Sequence, residues 1–301
     1  MFIDSNEVFD SIGLLNSEDS TYTAILPDNG AWSEAYDRIK PFYNFRSQDG
    51  GSDRQRDYSK WAIVKDLVYS GKFEVPFPED SLVSTTQTVF YNHPAYLFEN
   101  TQKVELSNGL GYVAPVFNHI DTASWYKKIG VEAENSEGRT PFNCNIISKN
   151  SIGLGYDISN NRYIEAQFIS GSQCYVVFTI PYNLSAKYNI YCVFAPSNIE
   201  DPNNLKPVKA RFQLQLQRTG LTTVVTNVNF PSSATYVTDP TNVTKMFVGT
   251  YTFQYANVED EENYETNYVT TLFRVYNDGI SNSTLYNPNM RIDCIILEPV
   301  K

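Results

Sequence analysis

Carboxylates, tyrosines and asparagines are the residues of this chain whose spacing suggests chemistry, and they gather in its second half. Glu132 and Glu134 lie two apart in Val131-Glu132-Ala133-Glu134-Asn135. In an extended strand residues two apart share a face, so both acids point the same way and offer oxygen ligands to a cation. The alternative is an edge strand whose acids face water. Further on, Tyr276-Asn277-Asp278-Gly279 and Tyr286-Asn287-Pro288-Asn289 precede the last apolar run. Sugar recognition needs exposed aromatic platforms flanked by side chains that fix hydroxyls. Tyr276, Asn277, Tyr286, Asn287 and Asn289 have that make-up, as do Trp125 and Tyr126. With 22 Tyr in the chain, most aromatic rings must instead be core or cross-strand packing.

Other clusters carry less. Glu259-Asp260-Glu261-Glu262, with Glu265, lacks the Asp-x-Asp-x-Asp-Gly order of an EF-hand and reads as a solvated loop. There are two histidines, His93 and His119, both in loop contexts. No Gly-x-Ser-x-Gly elbow, phosphate loop or dinucleotide fingerprint accompanies them. No catalytic residue is assigned and a non-enzyme is expected. A glycoside-processing carboxylate pair stays open, because the fold sets the separation of the two groups. Cys144, Cys174, Cys192 and Cys294 show no CxxC spacing; they are read as buried thiols rather than disulfides or a metal site. Three Asn-x-Ser/Thr triplets, at Asn183, Asn242 and Asn282, are expected by chance in a chain this rich in Asn, Ser and Thr.

These residues need strands to position them, and the composition supplies strands. The 301 residues include 14% aromatics, and Tyr, Phe, Thr and Val suit a pleated, half-buried surface. A length of this kind favours two domains. A net charge of −11 and the lack of a Lys/Arg stripe argue against nucleic acid as a partner. No apolar run is long enough to span a membrane, and Met1-Phe2-Ile3-Asp4 lacks the basic and apolar regions of a signal peptide.

Along the first 120 residues, the alternating strand Thr21–Pro27 leads into a helix in which Trp32, Ala35, Tyr36 and Ile39 share a face, capped by Asp28 or Asn29. Residues Phe45 to Asp57 read as an exposed loop. A second helix follows, with Trp61, Val64, Leu67 and Val68 as its stripe and Gly71 as its stop. From Ile129 onwards helical periodicity vanishes. Phe212, Leu214 and Leu216 alternate with Gln213, Gln215 and Gln217, which predicts one buried and one wet face. Nine strands at regular spacing predict an all-β sandwich or jelly-roll over 131–301, after a linker at 121–130.

Two resemblances attach to these segments. Tyr22-Thr23-Ala24-Ile25-Leu26-Pro27-Asp28-Asn29-Gly30-Ala31-Trp32 resembles the first motif of fasciclin (FAS1) domains, and Leu106-Ser107-Asn108-Gly109-Leu110-Gly111-Tyr112-Val113 the second. Few residues precede the first motif, so the front of the domain is abbreviated. The resemblance implies an α+β adhesion or interaction module without catalysis over residues 1–120. Val131–Asn135, the hairpin Tyr175–Pro196 and the final run Arg291–Glu298 are similar to galactose-binding-like jelly-rolls of the carbohydrate-binding-module type. In that family acids of the first and last strands hold a structural calcium ion, and Glu132, Glu134 and Asp293 are the matching positions. The pairing resembles surface lipoproteins of starch-utilisation-type uptake systems. It implies a non-enzymatic accessory protein on the extracellular face of the outer membrane, lipid-anchored by a segment absent from this chain. Its partner would be a glycan, an outer-membrane nutrient transporter, or both. A purely structural adhesion module is the alternative.

Overall fold

In the computed structural model, residues 12–75, 80–218, 224–230, 236–257 and 269–300 are described. The chain divides into two units, Met1–Lys127 and Lys128–Lys301, and the division falls inside the expected linker. Among the described residues no helix is long and apolar enough to cross a membrane.

In the first unit, strand β1 (Tyr22–Pro27) runs into helix α1 (Asn29–Ile39). Asp28 caps the helix, its carboxylate accepting the Ala31 N–H at 2.8 Å. The helix buries Ala31, Ala35 and Ile39, while Trp32 and Tyr36 stay half-buried on its flank. Helix α2 (Gly51–Val64) and strand β2 (Val68–Ser70) follow, then the hairpin of β3 (Ser81–Val83) and β4 (Val89–Tyr91). Strands β5 (Gln102–Leu106) and β6 (Gly109–Ala114) complete a sheet of order β2-β1-β6-β5. β1 and β6 pair in parallel, with Tyr22 opposite Gly109, so the two motif segments lie side by side. Ile25, Tyr69, Phe90, Phe98, Leu110 and Tyr112 form the core behind them.

Three expectations for this unit change. Residues 45–57 are not an exposed loop. α2 begins at Gly51, and Arg54 is buried with its guanidinium 4.6 Å from the Phe45 ring centroid. A buried arginine takes the place of the apolar period that would have marked those turns. Leu67 and Val68 do not continue the helical stripe either, because Val68 opens β2 against β1. In the segment expected as a linker, Trp125 and Tyr126 are buried against Phe42, with ring centroids 4.8 and 5.1 Å away. They are core, not exposed platforms.

The second unit is a β-sandwich. Its strands are β7 (Ile129–Glu132), β8 (Arg139–Phe142), β9 (Cys144–Asn150), β10 (Arg162–Phe168), β11 (Tyr175–Thr179) and β12 (Lys187–Phe194). β13 (Ala210–Arg218), β14 (Val224–Asn229), β15 (Thr244–Thr252), β16 (Val269–Asn277) and β17 (Met290–Pro299) complete it. One sheet has the order β15-β12-β17-β10-β9, with β7 also on β17; the other runs β14-β13-β16-β11-β8. The named pairs are antiparallel. Phe194 of the first sheet meets Phe212 of the second at 6.4 Å, and Phe212 stacks on Phe273 at 5.8 Å. β8 and β9 go beyond the nine expected strands. Pro141 inside β8 is tolerated because β8 is the edge of its sheet. All four cysteines are buried and free.

Candidate functional site

The outer face of the β14-β13-β16-β11-β8 sheet is built by strand alternation. Phe212, Leu214 and Leu216 turn into the core, which sends Arg211, Gln213, Gln215 and Gln217 outward. Directly opposed residues of antiparallel strands share a face, so the register arranges the outward side chains in rows. Phe142, Tyr175, Tyr276 and Arg211 make one row; Thr140, Val177, Arg274, Gln213 and Asn229 make the next. Leu272, Gln215 and Asn227 follow.

The first row is aromatic. Phe142 stacks on Tyr175 with centroids 4.7 Å apart and planes 11° apart, and Tyr175 meets Tyr276 at 4.8 Å. The Arg211 guanidinium sits 3.8 Å from the Tyr276 centroid, a cation–π contact. The second and third rows are a mesh of amides. Arg274 donates to Gln213 Oε1 at 3.1 Å and to Gln215 Oε1 at 2.9 Å. Gln213 donates to Asn229 at 2.8 Å, and Gln215 to Asn227 at 3.1 Å. Rings that offer flat apolar area beside an ordered set of amides are what a sugar chain needs.

A second constellation lies on the other sheet. β17 is paired by β10 over Met290–Ile292 and by β7 over Cys294–Leu297, so Asp293 stands at the handover. On its other edge Val193 faces Cys294 and Phe194 faces Ile292, which leaves Asp293 as an unopposed bulge residue. A bulge re-aims a side chain that alternation would send elsewhere. The outcome is that Glu132, Asp293 and Cys294 place their ligand atoms within 4.8 Å of one another. The turn before β10 closes the cluster. Ser159 donates its N–H to both Asp293 oxygens at 3.2 and 3.3 Å and its hydroxyl to Glu132 Oε1 at 2.8 Å.

Glu134 lies just past β7, in a turn, so simple strand alternation does not place it; its Oε1 faces Asn160 Nδ2 at 3.5 Å. Glu132 Oε2 and Glu134 Oε2 are buried with no hydrogen-bond partner. Burial, reinforced by Glu132 and Glu134 and opposed by the Ser159 N–H, pushes the Asp293 carboxyl up to about 7. Burial likewise pushes the Cys294 thiol up to about 12, which keeps it a neutral neighbour of the acids. Carboxylates crowded together with orphaned oxygens fit a hard, oxygen-seeking cation. Glu132 and Glu134 also border an open cleft of about 770 Å³ that includes Arg162 and Tyr182.

The other expected ligand residues separate. Tyr276 is on the aromatic row but buried beneath Arg211 and Tyr175, so Tyr175 and Phe142 are the accessible rings. Asn277 and Asn287 are buried as well. Asn277 ties two loops together, accepting from Gly279 N–H at 3.0 Å and donating to Asn287 O at 3.0 Å. Asn287 accepts the Asn289 N–H at 3.0 Å, and Asn289 accepts the Phe168 N–H at 3.2 Å. Tyr286 covers Gly279, where an added Cβ would come within 2.6 Å of it. Asn277, Asn287 and Asn289 therefore serve loop closure; the amides that face solvent are those of β13 and β14. Residues 259–262 and 265 lie outside the described residues.

No family model and no curated protein matches the sequence. Among solved structures, the chain is similar to the CBM22-1 xylan-binding domain from Paenibacillus barcinonensis Xyn10C. The identity is 8%, the match covers 58% of this chain and 94% of that one, and the TM-score is 0.36. A native family 35 carbohydrate-binding module from Clostridium thermocellum matches at 11% identity, over 58% of this chain and 99% of that one, with TM-score 0.29. The Podospora anserina GH26-CBM35 β-(1,4)-mannanase matches at 13% identity and TM-score 0.26; the match covers 58% of this chain but only 28% of that enzyme. At such TM-scores the likeness assigns no role to any residue of this chain.

Proposed function

We propose that the β-sandwich unit binds a glycan along the outer face of its β14-β13-β16-β11-β8 sheet, without catalysis. The observation that carries this reading is the register itself, which sets the Phe142–Tyr175 stack beside the Gln213/Gln215/Asn227/Asn229 amides on one face. Stacked rings supply flat apolar contact and amides supply paired donors and acceptors. Retardation in polysaccharide-containing native gels tests it. Binding that weakens at least tenfold in Tyr175→Ala and Gln215→Ala, with melting little changed, is the expected result. Absence of retention on every polysaccharide tried would sink it.

Glu132, Glu134 and Asp293 would hold a structural calcium ion. Its charge would balance the three acids and tie β7, the turn before β10 and β17 together. The two orphaned carboxylate oxygens support this reading. A hydrolase needs carboxylates spaced to leave room for the scissile bond. The Glu132 and Asp293 oxygens instead crowd one spot with the Cys294 thiol, an arrangement better suited to an ion.

The wider reading is a non-enzymatic accessory protein at the extracellular face of the outer membrane, working beside a nutrient transporter. Its first unit would be a fasciclin-like interaction module. The adjacency of the two motif segments as β1 and β6 supports the fasciclin part. Co-purification with a membrane partner, insensitive to added sugar, would favour a purely structural role.

A further inference from the structure

The amide mesh on the β13–β16 face has a direction, and that direction selects the charge of its ligand. Arginine has N–H donors and no acceptor. Arg274 Nη1 and Nη2 donate to Gln213 Oε1 and Gln215 Oε1, so chemistry alone fixes both glutamine oxygens toward β16. Their Nε2 groups must then face the other way, where they donate to Asn229 Oδ1 and Asn227 Oδ1. Each asparagine, exposed on the outermost strand of the sheet, is left presenting Nδ2 hydrogens, which meet no protein acceptor among the described residues. A cation stands at the root of the mesh and N–H groups at its rim, while each of its carbonyl oxygens already accepts a hydrogen bond within it.

Among the described residues no acidic side chain balances the charge at that root. The three rows contain no Asp or Glu, and Arg274 makes no ion pair among the described residues. Its neighbour Arg211 is different, with Asp278 at 3.5 Å. Neutral sugar hydroxyls both donate and accept, whereas a donor-rich rim beside a cation with no acidic partner among the described residues favours a ligand that mainly accepts. A carboxylate accepts only, and it would satisfy both features. Beside the cation, Tyr175 (its centroid 5.5 Å from the Arg274 guanidinium) and the Phe142 stacked on it provide the surface for the sugar ring. Resting on the reading of this face as a glycan site, we infer that it selects polysaccharides whose sugars carry carboxylates, the uronic-acid polymers, over neutral ones.

The test is native affinity electrophoresis of the full chain in gels containing polygalacturonate, alginate or hyaluronate, each set beside its carboxyl-reduced form. Xylan and mannan serve as neutral polymers. The protein's own −11 charge opposes retention on an acidic polymer, so any retardation there reports a local site. Retardation on at least one acidic polymer, at least tenfold weaker on its reduced form and weakened by salt, is the expected result. Arg274→Gln should remove that preference. Asn229→Asp, an exposed change that does not threaten folding, should abolish acidic binding and leave melting unchanged. Retention on neutral polymers alone, unaffected by Asn229→Asp, overturns the charge selection while the glycan reading stands. Acidic retention indifferent to both substitutions overturns it too, by placing the site elsewhere. No retention on any polymer removes both readings.

Discussion

His119 donates its Nε2–H to the main-chain oxygen of Asp66 at 2.9 Å, and because a carbonyl only accepts, this fixes the neutral tautomer. The ring stacks on Phe117 at 4.3 Å and meets Phe90 edge-on at 5.3 Å, and its Nδ1 is buried with no partner. Burial, only partly offset by the Asp66 carbonyl and carboxylate, lowers its pKa to about 4 from the 6.5 of a free histidine. As pH falls, the unfolded chain therefore takes up the proton first. Stability held above pH 6.5 is lost progressively down to about pH 4, by about 3 kcal/mol. Asp66, held below the ordinary range by Lys65 and by hydroxyl donors despite its burial, loses its contribution only at still lower pH. The three tryptophans, Trp32, Trp61 and Trp125, all lie in the first unit, so their fluorescence in denaturant titrations reports this unit. His119→Phe should flatten the stability loss between pH 6.5 and 4; an unchanged slope would show that His119 is not its source.

Gly109 makes the parallel pairing of β1 and β6 sterically feasible. A Cβ at this position would lie 1.8 Å from the Tyr22 carbonyl oxygen, and backbone cannot swing aside as a flexible side chain does. Gly109→Ala should destabilise the first unit by about 3 kcal/mol or more, since it must break the register or the strand pair. Tryptophan fluorescence would show the early transition. A midpoint within a degree of the parent would mean the two strands are not paired in this way.

Local patterns made part of this molecule legible. Asp28 was readable as a cap because a capping side chain reaches the Ala31 N–H within its own segment. The faces of β13 were readable because period-two alternation is written in six consecutive residues. Features set by a partner strand were not. The Asp293 bulge exists only in the register with β12, and the Phe142–Tyr175 stack only in the pairing of β8 with β11. The first turns of α2 were hidden for another reason: a buried arginine over two rings mimics the polarity of a loop. Asn277 and Asn287 looked like solvent-facing groups because sequence cannot distinguish an amide that binds a ligand from one that closes a loop.

The carboxylate cluster predicts a metal-dependent second unit. Micromolar to millimolar calcium should raise the calorimetric transition of this unit, by mass action on the folded state, and a chelator should lower it. The tryptophan-reported transition of the first unit should not respond. Glu132→Gln combined with Glu134→Gln removes two of the three acids and should abolish the calcium effect. By relieving crowded negative charge, the pair should also leave the metal-free protein no less stable. If calcium raises the transition of the doubly substituted protein as it does the parent's, the ion binds elsewhere.

Leu214 and Gln215 are consecutive residues of β13 that face opposite ways, and they separate stability from binding. Leu214 is fully buried against the sandwich core, so Leu214→Ala should cost about 2–5 kcal/mol through lost transfer energy and the cavity it leaves. The protein that remains folded should still bind, because the outer face is untouched. Gln215 is half-buried, bonded to Arg274 and Asn227, and water can replace those partners at an exposed face. Gln215→Ala should cost only about 1 kcal/mol yet remove most polysaccharide retention, because it breaks one arm of the mesh and frees Asn227 to turn. Calorimetry and affinity gels on the two variants give a crossed pattern if the face is the site. Parallel losses in both would mean that binding only follows folding, and that the outer face of the sheet plays no direct part.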